Sequence, residues 1–262
     1  MCPELFHIGN FPVRSFGLVL VVGFLVGIWM ARRRASRFGL NPEKLWDLAI
    51  LLIVFGVLGS RLAFIVQEWD HFSRHTNEIF SLRFDGLTSF GGIILGLVVM
   101  TIWCRRTKTP FLAAMDVFAV PFLVASAIGR VGCLLNGCCY GGPTDLPWGV
   151  HFVDVPGAHH PAQLYDSLMC LAGAGLIAWS ERRRLASGEP LVQGRSMSLM
   201  FLAYGVSRFI YEFWRAGSSS TYWGSLPITQ AQAMAGLLAL VGLALYVVLG
   251  RRGRTYPREA PA

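Results

Sequence analysis

The chain has 262 residues, 54% of them hydrophobic and 15% charged, with mean hydropathy +0.51 and formal net charge +8. A soluble domain of this length cannot hide so much apolar surface, so the composition excludes a soluble globular protein and points to an all-α integral membrane protein. The basic residues form short clusters between apolar runs, which reads as a membrane-orientation signal and not as a nucleic-acid surface.

Met1 to Val13 carries Glu4 and lacks an apolar core followed by a small-residue cleavage site, so it does not read as a signal peptide. Seven apolar runs follow, at about 15–31, 46–66, 87–104, 111–130, 162–180, 196–213 and 227–249. Each is near the ~20 residues that cross ~30 Å of hydrocarbon. Of the 23 Lys and Arg residues, sixteen fall in the segments after the first, third, fifth and seventh runs, five on the opposite side, and Arg61 and Arg208 within runs. The positive-inside rule then sets the N-terminus in the periplasm and the C-terminus in the cytoplasm. The outer segments 67–86 and 131–161 are too polar and broken to cross, and are expected as short helices and turns over a central lipid cavity. No internal repeat and no second domain is visible, so residues 1–262 read as one domain.

Charges inside the runs carry the functional signal. At ~1.5 Å per residue, Arg61 lies ~22 Å from the cytoplasmic end of its run, and Arg208, Glu212 and Arg215 lie ~18, ~24 and ~29 Å from theirs. Arg130 closes the fourth run on the same outer side. Arg208, Glu212 and Arg215 are spaced i, i+4, i+7 and share one helix face. A structural ion-pair ladder is one reading of that face, and Arg61 reads equally as an internal brace or a snorkelling cation. The common depth favours a site for an anion, since several guanidinium groups facing one cavity repel unless an anion joins them. A phospholipid phosphate fits the guanidinium fork.

The run Gly129-Arg130-Val131-Gly132-Cys133-Leu134-Leu135-Asn136-Gly137-Cys138-Cys139-Tyr140-Gly141 follows an apolar span directly. Its glycines permit turns and close backbone approach, and backbone N–H groups freed there are anion donors. Gly91, Gly92 and Gly96 present a small-residue face suited to helix packing. Cys133, Cys138 and Cys139 allow three readings: apolar packing, a disulfide in an oxidising periplasm, or zinc binding with His151, His159 and His160. No C-x2-C pair occurs. Neither a metal nor a cofactor enters the expected function.

Taken together these residues resemble the bacterial prolipoprotein diacylglyceryl transferases of the phosphatidylglycerol-dependent type, over nearly the whole chain. Gly59-Ser60-Arg61-Leu62 is similar to the family's Gly-Ala-Arg-Leu element, and Gly129-Arg130-x-Gly132 with Asn136-Gly137 and Tyr140-Gly141 to its signature segment. His160-Pro161-Ala162-Gln163-Leu164-Tyr165 resembles its His-Pro-x-Gln-Leu-Tyr motif, and Arg208-Phe209-x-x-Glu212-Phe213-x-Arg215 its Arg-Phe-x-x-Glu-Phe-x-Arg motif.

The resemblance implies transfer of the diacylglyceryl group of phosphatidylglycerol to the lipobox cysteine thiol of a prolipoprotein, at the periplasmic face of a bacterial inner membrane. It implies Arg130, Arg208 and Glu212 as catalytic residues. Arg130 would also bind phosphatidylglycerol, with Arg61, Asn136, Gln163, Tyr165, Arg215, Gly129 and Gly132 around it. The partners implied are phosphatidylglycerol, the prolipoprotein signal peptide and membrane lipids.

The chain departs from the family pattern in three ways. Phe90 precedes Gly91-Gly92 where the family has His, Phe16 stands for a Tyr, and Cys133 and Cys138 stand for Asn and Glu. Phe90 cannot take a proton, so the alternative expectation is a phospholipid-binding relative without turnover.

Overall fold

The computed structural model describes residues 4–8, 11–79, 88–153, 155–215 and 228–256. Labelled in chain order, the helices are α1 (Ser15–Ala35), α2 (Pro42–Gln67), the one-turn α3 (Trp69–Phe72), α4 (Ser89–Thr107), α5 (Phe111–Leu135), α6 (Ala162–Ala186), α7 (Arg195–Tyr211) and α8 (Gln230–Arg252). A long helix therefore occurs at each of the seven expected apolar runs. The first residues of the third and seventh runs, 87 and 227, lie outside the described residues, as do 80–86 of the outer segment.

Five of these helices, α1, α2, α4, α5 and α8, are long and apolar enough to cross a membrane. α6 differs because its inward residues Gln163, Asp166, Ser167 and Glu181 are polar and buried, and α7 because it is shorter, at 17 residues, with Ser196, Ser198 and Ser207 buried as well. Polar side chains pointing into a helix bundle lower a segment's hydropathy without exposing charge to lipid. The apolar helices show the opposite pattern. Val21, Leu25, Ile50, Leu58, Leu62, Leu237 and Leu240 are exposed large hydrophobics, as suits surfaces whose solvent is lipid.

Local signals set several helix ends. Asn41 caps α2 by accepting from the Glu43 N–H at 2.9 Å, with Pro42 at the first helical position. Thr229 and Gln232 form a reciprocal capping box at the start of α8, and Gly253 ends it in the left-handed region.

The chain forms two compact units, Met1–Gly39 with Met115–Ala262, and Leu40–Ala114. In the smaller unit, α2 and α4 approach with no room for a side chain. A Cβ on Gly91 would collide with the Gly59 carbonyl, and one on Gly59 with the Gly91 carbonyl, which is the small-residue packing read from Gly91 and Gly92. In the larger unit, Ala119, Val120, Leu123 and Ala127 of α5 pack with Cys170, Ala174 and Ile177 of α6 and Met200 of α7.

One end of that bundle is locked by ions. Arg34, counted in the sequence as a charge of a basic cytoplasmic segment, is instead buried. Its Nη1 and Nη2 donate to Glu181 Oε2 and Oε1, each at 2.8 Å, and its Nε donates to the Val117 carbonyl at 3.2 Å. Asp116 accepts from the Gly194 and Met197 N–H groups at 2.6 and 2.7 Å and from the Tyr256 hydroxyl at 2.8 Å, so a side chain of α5 caps the start of α7.

Further details correct the expected outline. α5 runs five residues past Arg130, so the arginine sits within the last turns of the helix and does not close it. Segment 131–161 holds turns and a small hairpin of β3 (Val150–His151) and β4 (Ala158–His159), with no helix among its described residues after Leu135. A second antiparallel hairpin, β1 (Glu4–Ile8) with β2 (Phe11–Arg14), precedes α1. The sequences of β1 and β2 do not alternate and β3 and β4 have two residues each, so neither hairpin is visible in the sequence pattern.

Candidate active site

At the end of the larger unit opposite the Arg34 lock, α5, α6 and α7 bring three charged residues together. Arg130 Nε lies 2.6 Å from Asp166 Oδ2, and Arg208 Nη1 lies 3.5 Å from the same oxygen. The direction of each helix explains this. Asp166 is near the start of α6, whereas Arg130 and Arg208 are near the ends of α5 and α7, and antiparallel neighbours bring starts and ends to one level. The Ser207 hydroxyl donates to the other carboxylate oxygen, Oδ1, at 2.5 Å. Asp166 itself is 1% exposed. The two guanidinium carbons also lie 5.0 and 4.5 Å from the centroid of the buried Tyr211 ring, so each cation rests on an aromatic face.

Asp166 was not singled out in the sequence. It lies one turn beyond Gln163 on α6, and an ionisable residue inside a membrane-buried helix is itself a functional signal. The carboxylate that faces Arg208 is Asp166 of another helix. Glu212 faces Arg215, with 3.6 Å between Oε1 and Nη1.

The segment after α5 is tied to this cluster through its backbone. Gln163 Nε2 donates to the Cys138 carbonyl at 2.7 Å, and the Tyr211 hydroxyl donates to the Cys139 carbonyl at 3.0 Å. The Asn136 backbone N–H donates to the Gly132 carbonyl at 3.0 Å. Gly141 pairs with Arg215 through the backbone. The Cys138 thiol donates to the Cys133 carbonyl at 3.6 Å, and the Cys139 thiol lies 3.8 Å from the Cys138 sulfur. Tyr165 accepts from Trp148 Nε1 at 2.8 Å, faces His160 Nδ1 at 3.2 Å and packs its ring edge-on to Trp214. His159 has its ring nitrogens at 2.9 and 3.2 Å from the Gly141 and Pro156 carbonyls.

Three buried polar atoms of this group have no hydrogen-bond partner among the described residues: Gln163 Oε1, Arg208 Nη1 and Glu212 Oε2. Buried polar groups are normally satisfied. An amide oxygen and a carboxylate oxygen are left open as acceptors for hydroxyl groups, beside a guanidinium nitrogen of Arg208 whose nearest charge is Asp166.

The expected site residues divide as follows. Arg130, Asn136, Gln163, Tyr165, Arg208, Glu212 and Arg215 belong to this one end of the larger unit. A Cβ on Gly129 would meet open space, whereas one on Gly132 would press on Phe16 and Val19 of α1, so Gly132 is a packing glycine. Arg61 belongs to the smaller unit, where Nη2 donates to the Glu78 carbonyl at 2.9 Å and the guanidinium lies 5.3 Å from the Phe72 ring centroid. Phe90 stands exposed in the first turn of α4.

The chain matches the family model described as prolipoprotein diacylglyceryl transferase over residues 3–248. Among similar proteins are the phosphatidylglycerol–prolipoprotein diacylglyceryl transferase 1 of Streptomyces coelicolor, 33% identical over 95% of this chain and 72% of its own length, and the phosphatidylglycerol–prolipoprotein diacylglyceryl transferase of Clostridium tetani, 31% identical over 82% and 86%. The protein of the same name from Chloroflexus aggregans is 30% identical over 92% and 86%. With its site geometry and this match along nearly its whole length, the chain belongs to the prolipoprotein diacylglyceryl transferase family.

Proposed function

We propose that this protein transfers the diacylglyceryl group of phosphatidylglycerol to the lipobox cysteine thiol of a prolipoprotein, at the periplasmic side of the bacterial inner membrane. All seven long helices span the membrane in this reading, α6 and α7 as its inward-facing members, and the chain works as one domain. The observation that carries the reading is the convergence of Arg130 and Arg208 on Asp166 Oδ2. Two guanidinium groups and one carboxylate leave a single positive charge, which matches the single negative charge of a phosphodiester.

The thiol sulfur attacks the glyceryl carbon that bears the phosphate ester. A C–S bond forms, the C–O bond to phosphate breaks, and the bonding pair leaves with glycerol phosphate. The leaving group passes from a monoanionic diester to a dianionic monoester, so charge grows where the arginines stand; donors aimed at developing charge lower the barrier most. Glu212 and Gln163 offer open acceptors for the headgroup hydroxyls, and Arg215 is steadied by Glu212. The thiol proton goes to a phosphate oxygen or to a base of segment 136–161, where His159 is already tied to two carbonyls and His151 and His160 are the other imidazoles.

Expression in cells depleted of their own transferase tests the activity. A reporter lipoprotein gains the mass of a diacylglyceryl group if the reading holds. Folded, membrane-inserted protein that leaves the reporter unmodified contradicts it, and supports the phospholipid-binding relative without turnover.

A further inference from the structure

Three sulfur atoms that the reaction does not use converge beside the arginine cluster. The Sγ atoms of Cys133, Cys138 and Cys139 all lie within 4.8 Å of one another, and the Cys138–Cys139 separation is 3.8 Å. The sequence alone left these thiols open to packing, a disulfide or a metal, and no metal was expected from them. Their placement discriminates among the three.

Packing does not account for it. Cys139 is exposed and adopts φ +63°, one of two non-glycine residues described in the left-handed region. That conformation is disfavoured for a non-glycine residue, whose Cβ crowds the following carbonyl oxygen. It persists because the backbone is held on both sides: the Cys138 N–H donates to the Cys133 carbonyl at 3.1 Å, and the Cys138 and Cys139 carbonyls accept from Gln163 and Tyr211. The result turns two adjacent side chains, which would otherwise diverge, toward the third sulfur at the end of α5.

A disulfide uses two sulfurs and leaves the third without purpose. The adjacent pair Cys138–Cys139 is also a poor candidate, since neighbouring Cα atoms are about 3.8 Å apart and disulfides favour about 4.4–6.8 Å. A metal uses all three. Zinc–thiolate bonds of about 2.3 Å in tetrahedral geometry put sulfurs roughly 3.8 Å apart, which is the separation seen between Cys138 and Cys139. Arg130 and Arg215 stand within electrostatic reach of Cys139, so the surplus negative charge of three thiolates around a divalent ion is balanced nearby.

We propose that Cys133, Cys138 and Cys139 form a tri-thiolate site for a thiophilic d10 cation of the zinc type, with the fourth position open on the exposed Cys139 side. The ion clamps the turn 133–139 whose carbonyls Gln163 and Tyr211 hold, and so fixes the segment that borders Arg130. The proposal does not depend on the transfer reaction.

The test uses the full chain, purified in detergent, reduced, freed of reductant and titrated with Co2+ without oxygen. One cobalt per chain binds, with a sulfur-to-cobalt charge-transfer band and the strong visible bands of a tetrahedral site, and zinc displaces it. Cys139→Ser weakens binding about tenfold or more, and the Cys133→Ser, Cys138→Ser, Cys139→Ser triple variant shows no charge-transfer band. Cys104→Ser binds like the parent, and matched thermal unfolding of all variants excludes misfolding. The proposal is overturned if the reduced parent shows no charge-transfer band, or if the band survives in the triple variant.

Discussion

Asp166 is the residue on which the site turns. Its carboxylate is buried, accepts from Ser207, and faces two guanidinium groups that a bound phosphate would also face. The carboxylate positions the arginines and does not itself meet the reacting atoms. Replacing it by Asn removes the charge and keeps the shape. Hydrogen bonds to charged groups are worth about 1.5–3 kcal/mol, so Asp166→Asn is expected to lower kcat roughly 10- to 100-fold. KM for phosphatidylglycerol stays level or falls, because the phosphate no longer competes with a carboxylate for the arginines. A purely structural role for Asp166 would instead reduce the yield of folded protein and leave kcat per folded molecule unchanged; steady-state kinetics on purified variants separates the two. The arginines were legible in the sequence because a charge in an apolar run stands out and because a motif surrounds them. Asp166 was not, because its partners lie 36 and 42 positions away on other helices, and pairing between helices leaves no trace in spacing.

At the scale of elements, the end of the bundle remote from the site is held by charge. Arg34 of α1 and Glu181 of α6 form a two-pronged buried pair, and Asp116 of α5 caps α7. Removing one partner of a buried pair strands the other charge, at a cost of about 3–5 kcal/mol. Glu181→Ala is therefore expected to lower the thermal unfolding midpoint in detergent strongly. Arg34→Met with Glu181→Leu recovers most of that loss, since a well-packed apolar pair can replace a buried ionic one. Helix positions were legible from apolar run length, and a close-packing face on α4 from Gly91 and Gly92, though not its partner Gly59 on α2. Two further features were not. Arg34 sits in a run of three arginines that is indistinguishable by composition from a solvated loop, and only the fold shows which of the three turns inward. The polar face of α6 weakens its hydropathy signal for the reason that makes it useful: it points at α7.

Over the whole molecule, the basic clusters predict orientation. A phosphatase reporter that works only outside the cytoplasm is expected to be inactive when fused after Arg252 and active when inserted near Asp145. The reverse pattern would place the arginine cluster on the cytoplasmic side and remove it from secreted substrates. The central claim is narrower, that Arg130 and Arg208 together hold a phospholipid phosphate. It is tested most directly by the amount of phosphatidylglycerol that stays with the protein through purification. The parent protein is expected to retain about one lipid per chain, and Arg130→Ala and Arg208→Ala each to lose most of it while unfolding at the parent temperature. Equal retention by the parent and both well-folded variants would contradict the account.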